Sequence, residues 1–197
     1  MSVRTREVIL TGIGGQGVQL AGQVLARAAM ADGRHAQLFQ NYGGLMRGGQ
    51  TEASLVVSDE PVHAPPVLGS TWAAVAMHHE HWPPVRDRLR ADGLALVNTS
   101  IVTDPGLANF TGATLEVPAT DVAVDLGQIV GASLVMVGVL AAVTELVSAT
   151  ALESGLRDAL PTYRRNGVDE GISALDAGRS LADLPHLPVW TRTAAST

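Results

Sequence analysis

Two apolar periods alternate along the chain, and their order predicts the fold. Glu7–Thr11 carries the unbroken run Val8-Ile9-Leu10, the mark of a strand buried on both faces. From Gly17 to Asp32 the apolar positions Val18, Ala21, Leu25, Ala28 and Ala29 follow a helical spacing that stops at Asp32-Gly33. His35–Gln40 reads as a short second strand and Thr51–Ser58 as a third, separated by the glycine-rich Asn41–Gln50 and closed by the turn Asp59-Glu60-Pro61. Ala73–Met77 is a further buried strand. A helix is expected over Trp82–Leu89, opening at a proline pair, and a strand over Leu94–Asn98 after the turn Asp92-Gly93. Leu115–Val117 is a short strand. Thr120–Leu126 reads as a helix capped by Thr120, and Gly131–Val147 and Ala151–Leu160 as successive helices, with Ser148 or Thr150 as cap of the second.

Strands alternating with helices predict an α/β, Rossmann-like layered fold around a mostly parallel sheet, with a helix-rich C-terminal third packed on it. Residues 1–181 are expected to form a single domain. Residues 182–197, with Pro185, Pro188 and Trp190, are expected to be an extended tail that drapes over a neighbour or is partly disordered. The most apolar stretch, Ile129–Val147, is interrupted by Gly131, Ser133, Gly138, Thr144 and Glu145, and reads as a buried helix rather than a membrane span.

Composition narrows the function. The net charge of −6 argues against a nucleic-acid surface, and the 13 basic residues are all Arg, so a lysine-dependent P-loop is impossible. Cysteine is absent, which excludes disulfides, cysteine-ligated iron–sulfur clusters and thiolate chemistry in these 197 residues. No signal-peptide pattern opens the sequence, and a cytoplasmic location is expected.

The candidate chemistry lies in Thr11-Gly12-Ile13-Gly14-Gly15-Gln16-Gly17, between the first strand and the first helix. Gly12, Gly14 and Gly17 satisfy G-x-G-x-x-G. A glycine turn at a helix N-terminus makes an anion site from free N–H groups and the helix dipole, although the same turn also serves as a plain connection. A dinucleotide reading requires an acidic residue at the end of the second strand to hold the ribose hydroxyls. That strand ends on Gln40 and Asn41. The chain offers instead a second glycine loop, Tyr42-Gly43 through Arg47-Gly48-Gly49, expected to come near the first at the C-terminal edge of the sheet. Two glycine loops and an Arg suit a ligand with several phosphates and an adenine, such as coenzyme A.

Other clusters read more plainly. His78, His79, Glu80 and His81 follow a strand. A metal site there is conceivable, with His63 and His186 as the only distant ligands on offer, and a polar loop beside the ligand mouth or a subunit interface is the simpler reading. Asp121 and Asp125 read as a solvated first turn, and Arg86, Arg88 and Arg90, alternating with Asp87, as a solvated helix face.

Taken in order, "GIGGQGVQLAGQVLARAA", "QNYGGLMRGGQTEASLVVSDEPV", "VPATDVA" and "LVMVGVLAAVTELVSATAL" resemble the gamma subunit of 2-oxoacid:ferredoxin (acceptor) oxidoreductases, over about Val8 to Gly178. The resemblance implies an α/β domain that has no redox centre and is not active alone. It would help bind coenzyme A and assemble the complex during oxidative decarboxylation of a 2-oxoacid to an acyl-CoA. Thiamine diphosphate, Mg and [4Fe–4S] clusters are then expected on partner subunits: alpha, beta and a ferredoxin-like delta. Ferredoxin or another acceptor would take the electrons. The carry-over assigns Gly12, Gly14, Gly15, Gln16 and Gly17, with Tyr42, Gly43, Arg47, Gly48 and Gly49, to coenzyme A. Ser58, Asp59, Glu60 and Pro61 match a structural turn. Gly44 and Leu45 stand where the family carries Pro-Glu. The rival readings are a stand-alone NAD(P)-binding oxidoreductase and a purely structural assembly subunit.

Overall fold

The computed structural model describes residues 4–43, 48–63, 67–128, 131–161, 167–181 and 183–190. The strands are β1 (Thr5–Ile13), β2 (His35–Tyr42), β3 (Gln50–Ser58), β4 (Thr71–Ala76), β5 (Leu89–Asn98) and β6 (Ala113–Val117). The helices are α1 (Val18–Ala31), α2 (Pro83–Arg86), α3 (Ala119–Asp125), α4 (Ala132–Thr144), α5 (Ala149–Ala159) and α6 (Val168–Arg179), with a 3-10 turn at His79–His81. The six strands form one sheet in the order β2-β3-β1-β4-β5-β6. Only β3 runs against its neighbours, pairing antiparallel with β1 and β2, while β1, β4, β5 and β6 are parallel. The few residues between β2 and β3 are too short for a parallel crossover, so β3 returns alongside β2.

Strand residues alternate between two cores. Val8, Leu10, Val75, Leu94 and Leu96 meet the helices α1 and α4, whereas Ile9, Ala74, Ala76, Ala95 and Val97 meet Trp82, Val85 and Val102 on the other face. The first face is the thick one. α5 packs on α1 and α6 on α4. α4 is buried at every position except Ala142, as its unbroken hydrophobicity predicts. No helix among the described residues is long and apolar enough to cross a membrane.

Ser148, not Thr150, caps α5, accepting from the Ala151 N–H at 3.2 Å and donating to Asp32 at 2.7 Å. One hydroxyl thereby satisfies an orphan N–H of α5 and ties that helix to the end of α1. Ser148→Ala is expected to cost about 1–2 kcal/mol, read as a lower urea midpoint at unchanged slope.

Four expectations change. The helix expected over Trp82–Leu89 is only Pro83–Arg86, and β5 begins at Leu89 rather than Leu94. The sheet recruits these residues, since Thr71 N–H bonds Arg88 O at 2.8 Å and Leu89 pairs with Thr71. Thr120 does not cap α3. Its hydroxyl and backbone N–H both bond the side chain of Asn98, a fully buried residue at the end of β5, at 2.9 and 3.3 Å. Arg88 is not on a solvated face either, because its guanidinium forks onto the Glu52 carboxylate of β3. The tail, up to Trp190, packs on its own chain. Leu187 and Val189 donate to the last carbonyls of α4, Val143 and Thr144, at 2.7 and 2.9 Å, and the Trp190 indole donates to Leu146 O at 2.9 Å. A helix end leaves such carbonyls unsatisfied, and the tail supplies the missing donors.

Candidate ligand crevice

Both glycine loops come together at the C-terminal edge of the sheet. The β1–β3 ladder runs to Ile13 opposite Gln50 and then continues into the loops, with Gly14 N–H bonding Gly49 O at 2.9 Å and Gly48 N–H reaching Gly14 O at 3.5 Å. Gly43 N–H bonds Gln50 O at 2.7 Å and closes the second loop at its base. Gly44, Leu45, Met46 and Arg47 lie outside the described residues, as does the side chain of Tyr42.

The turn then delivers the chain into α1. Gly15 has φ 106° and Gly17, the N-cap of α1, has φ 78°, backbone that side chains with a Cβ seldom adopt. No side chain caps α1 and no acidic residue stands in its first turn. Among the described residues, then, no side chain caps the first N–H groups of this 14-residue helix, which carry the positive end of its dipole. Among the described residues nothing lies within 4 Å of where a Cβ on Gly15 would point.

Gln16 sits otherwise than a ligand donor would. Its Oε1 accepts from Ile13 N–H at 2.9 Å, and its Nε2 donates to Met77 O at 3.0 Å. The side chain staples the end of β1 to the end of β4. A Cβ on Gly12 would approach Gln16 Oε1 to 2.5 Å, so Gly12 makes room for the staple.

At the end of β2 the amides are turned inward. Gln40 Nε2 donates to Gln19 O at 2.7 Å, and Gln23 Nε2 donates to Gln40 Oε1 at 3.3 Å. The nearest carboxylate in register, Glu52 opposite Asn41, points away from α1 into its ion pair with Arg88. The described residues thus offer no acid to a ribose at the place a dinucleotide site requires one.

The His78–His81 segment follows β4, beside the end of β1. Met77 N–H bonds Thr11 O at 2.9 Å, and the Thr11 hydroxyl donates to His81 O at 3.3 Å. His78 Nδ1 accepts from Glu80 N–H at 3.3 Å and caps the 3-10 turn, while its ring stacks on His79 at 4.4 Å between centroids. Burial, then the neighbouring His79, holds the His78 pKa below its ordinary value. No group of three or more candidate metal ligands occurs among the described residues, and His186 pairs with Glu145 elsewhere. Asp121 and Asp125 are exposed on α3, as expected.

A cavity of about 600 Å³ sits at the opposite edge of the sheet, lined by Asp32, Arg34, Glu145, Ser148, Arg179 and Trp190 among others. Several of its polar groups have partners within the chain, but the buried Arg34 Nε has no hydrogen-bond partner among the described residues. Asp32 holds Ser148, Glu145 meets His186, Arg179 meets Asp176, and Arg34 stacks on Trp190 at 3.7 Å. The glycine turn, leading into a helix with no capping side chain and no acid in its first turn, is the candidate ligand site.

An open, mostly parallel α/β sheet with a glycine turn leading into an uncapped helix defines a domain of the doubly wound class, with its crevice at the carboxyl ends of the strands. Comparison with known proteins makes this specific. The family model described as pyruvate ferredoxin/flavodoxin oxidoreductase matches residues 7–181, and the chain belongs to that family. It is 36% identical over 183 residues to the 2-oxoglutarate synthase subunit KorC of Methanothermobacter marburgensis, covering 89% of this chain and 96% of that one. Among solved structures it resembles the gamma subunit of a keto/oxoacid ferredoxin oxidoreductase from Geobacter sulfurreducens, with TM-score 0.73, 28% identity and coverage of 88% and 96%. The fold also recurs in the 2-oxoglutarate:ferredoxin oxidoreductase of Magnetococcus marinus, solved with coenzyme A bound, with TM-score 0.78 and 16% identity. That match covers 93% of this chain and 33% of the other.

Proposed function

We propose that this chain is the gamma-type, non-redox subunit of a thiamine diphosphate-dependent 2-oxoacid:acceptor oxidoreductase, and that its glycine crevice holds the phosphates of coenzyme A. The observation that carries the reading is the uncapped N-terminus of α1 behind Gly15 and Gly17, at a crevice with no ribose acid. Such a terminus favours a phosphate or pyrophosphate through backbone N–H groups. The absence of cysteine agrees with redox clusters carried by partner subunits, and thiamine diphosphate with its Mg belongs there too. The complex would split CO2 from a 2-oxoacid, join the acyl group to the thiol of coenzyme A and pass two electrons to ferredoxin or another acceptor. This chain would supply part of the coenzyme A site and of the assembly surface. Arg47, on the loop anchored by Gly48 and Gly49, is the proposed cation for a phosphate, with Gly12, Gly14 and Gln16 shaping the turn and Tyr42 and Gly43 opening the second loop.

The test is titration of the complex, purified with its partner subunits, with coenzyme A and separately with NAD. Coenzyme A is expected to bind and NAD not to bind, and Arg47→Ala is expected to weaken coenzyme A about tenfold, the size of one charge-assisted contact. NAD binding without coenzyme A binding would establish the rival dinucleotide reading. A purely structural role has one observation in its favour: Gly14 and Gln16 spend their polar groups inside the chain. Unchanged coenzyme A affinity in both Arg47→Ala and Gly15→Asp would favour that role.

A further inference from the structure

Helix ends and the tail meet around the cavity of about 600 Å³, away from the glycine loops. The turn after α1 brings Asp32 and Arg34 to it, α4 ends there on Ala142 and Glu145, α6 ends on Arg179, and the tail adds Trp190. That volume is in the range of small-molecule sites. Trp190 is held in place, because its indole N–H donates to Leu146 O at 2.9 Å. The Arg34 guanidinium lies 3.7 Å from the centre of its ring, and the stack fixes the plane of the guanidinium.

Arg34 is a cation whose donors are unspent. Among the described residues no hydrogen bond or ion pair reaches its guanidinium, and its Nε is buried without a partner. Asp32 and Asp59 stand near enough to raise its pKa, but burial outweighs them and holds it below the ordinary value. A guanidinium stays charged in a protein, so the cost of its desolvation is not met within the chain. The acids on the cavity are already engaged. Asp32 accepts from the Ser148 N–H at 2.5 Å and from its hydroxyl at 2.7 Å, and Glu145 pairs with His186 at 2.9 Å. These carboxylates also limit the ligand. A phosphate dianion would face both of them across the cavity, whereas a single carboxylate matches the one unpaired fork. Ala141, Ala142 and Leu146 supply an apolar wall beside it.

We propose that this cavity is a second ligand site, which binds a small carboxylic acid with its carboxylate on the Arg34 guanidinium and a short apolar body against Ala141, Ala142 and Leu146. The planar fork of an arginine meets a carboxylate through two parallel N–H donors, and the Trp190 ring holds that fork ready. The site is independent of the coenzyme A reading and shares no residue with the glycine loops. Its occupant would bridge the turn after α1, the end of α4 and the tail, and so stabilise the folded chain by mass action.

The test is titration of the full chain with butyrate, acetate and inorganic phosphate at constant ionic strength, followed by calorimetry and tryptophan fluorescence. Butyrate is expected to bind saturably, about tenfold tighter than acetate because two more methylenes are buried, and to raise the melting temperature. Arg34→Gln is expected to weaken butyrate about tenfold. Arg34→Lys keeps the charge but loses the fork, and is expected to weaken it by a smaller factor. Should the Gln variant fail to fold, the Lys variant carries the comparison. Arg157→Gln, on the exposed surface of α5 outside the cavity lining, is expected to bind like the parent. The fluorescence change is expected to vanish in Trp190→Phe, which keeps an aromatic ring beneath the guanidinium. Absence of saturable butyrate binding, or equal affinity in the parent and both Arg34 variants, would overturn the site. Phosphate bound as tightly as butyrate would overturn the assignment to a carboxylic acid. Butyrate binding by the chain that disappears in the assembled complex would overturn a small-molecule site there and give the cavity to a partner subunit.

Discussion

Gly138→Leu is expected to lower the melting temperature of the chain by roughly 6–12 °C, equivalent to about 3 kcal/mol in a domain of this size. α4 and α6 meet through two glycines. A Cβ on Gly138 would come to 2.1 Å from Leu175 O, and one on Gly178 to 2.0 Å from Val135 O. Both obstacles are backbone, so no side-chain rotation relieves them, and the helices must separate. That separation would loosen the packing around Val135, Leu140, Ala174 and Leu175, all of them in the main core. Calorimetry of the parent and variant chains measures the shift. A melting temperature within about 2 °C of the parent would show that the helices do not meet as closely as described.

Gly15→Asp is expected to weaken coenzyme A about 100-fold, whereas Gly15→Ala weakens it far less. Both variants carry a Cβ at φ 106°, and that Cβ meets no atom of the described residues within 4 Å, so both lose stability through the backbone, by about 1–2 kcal/mol. The aspartate adds a negative charge where the phosphate is proposed to sit. The same charge stabilises α1 by roughly 0.3–1 kcal/mol through its dipole. The Asp variant should therefore be the more stable of the two and the weaker binder. Titration calorimetry and thermal denaturation on the same samples read both signs. Equal affinities in the two variants would remove the anion from this turn.

The elements legible in the sequence were those built on one strong local period. The run Val8-Ile9-Leu10, the helical spacing from Val18 to Ala29 and the uniformly apolar α4 each matched the structure to within a few residues. α6 escaped because Gly171, Ala174 and Gly178 form much of its buried face, and small residues carry little hydrophobic signal. The extra length of β5 escaped because Leu89 joins the sheet through Thr71, a contact between distant segments. Of the site, the two glycine loops and their approach were legible, and Gly14 indeed meets Gly48 and Gly49. The internal duties of Gln16, Gln40 and Asn98 were not, since a side-chain amide gives no sequence sign of which backbone group it will meet.

The amino-acid sequence by itself determined the α/β class, the glycine turn, the missing ribose acid and the absence of any cysteine ligand, because each follows from residue type and local spacing. Only the tertiary structure decided that β4 lies beside β1, that Gln16 of the glycine turn meets Met77 at the end of β4, and that the tail closes the end of α4. Strand order is set by which apolar faces can be covered together, a property of the whole packed chain. No local stretch encodes it.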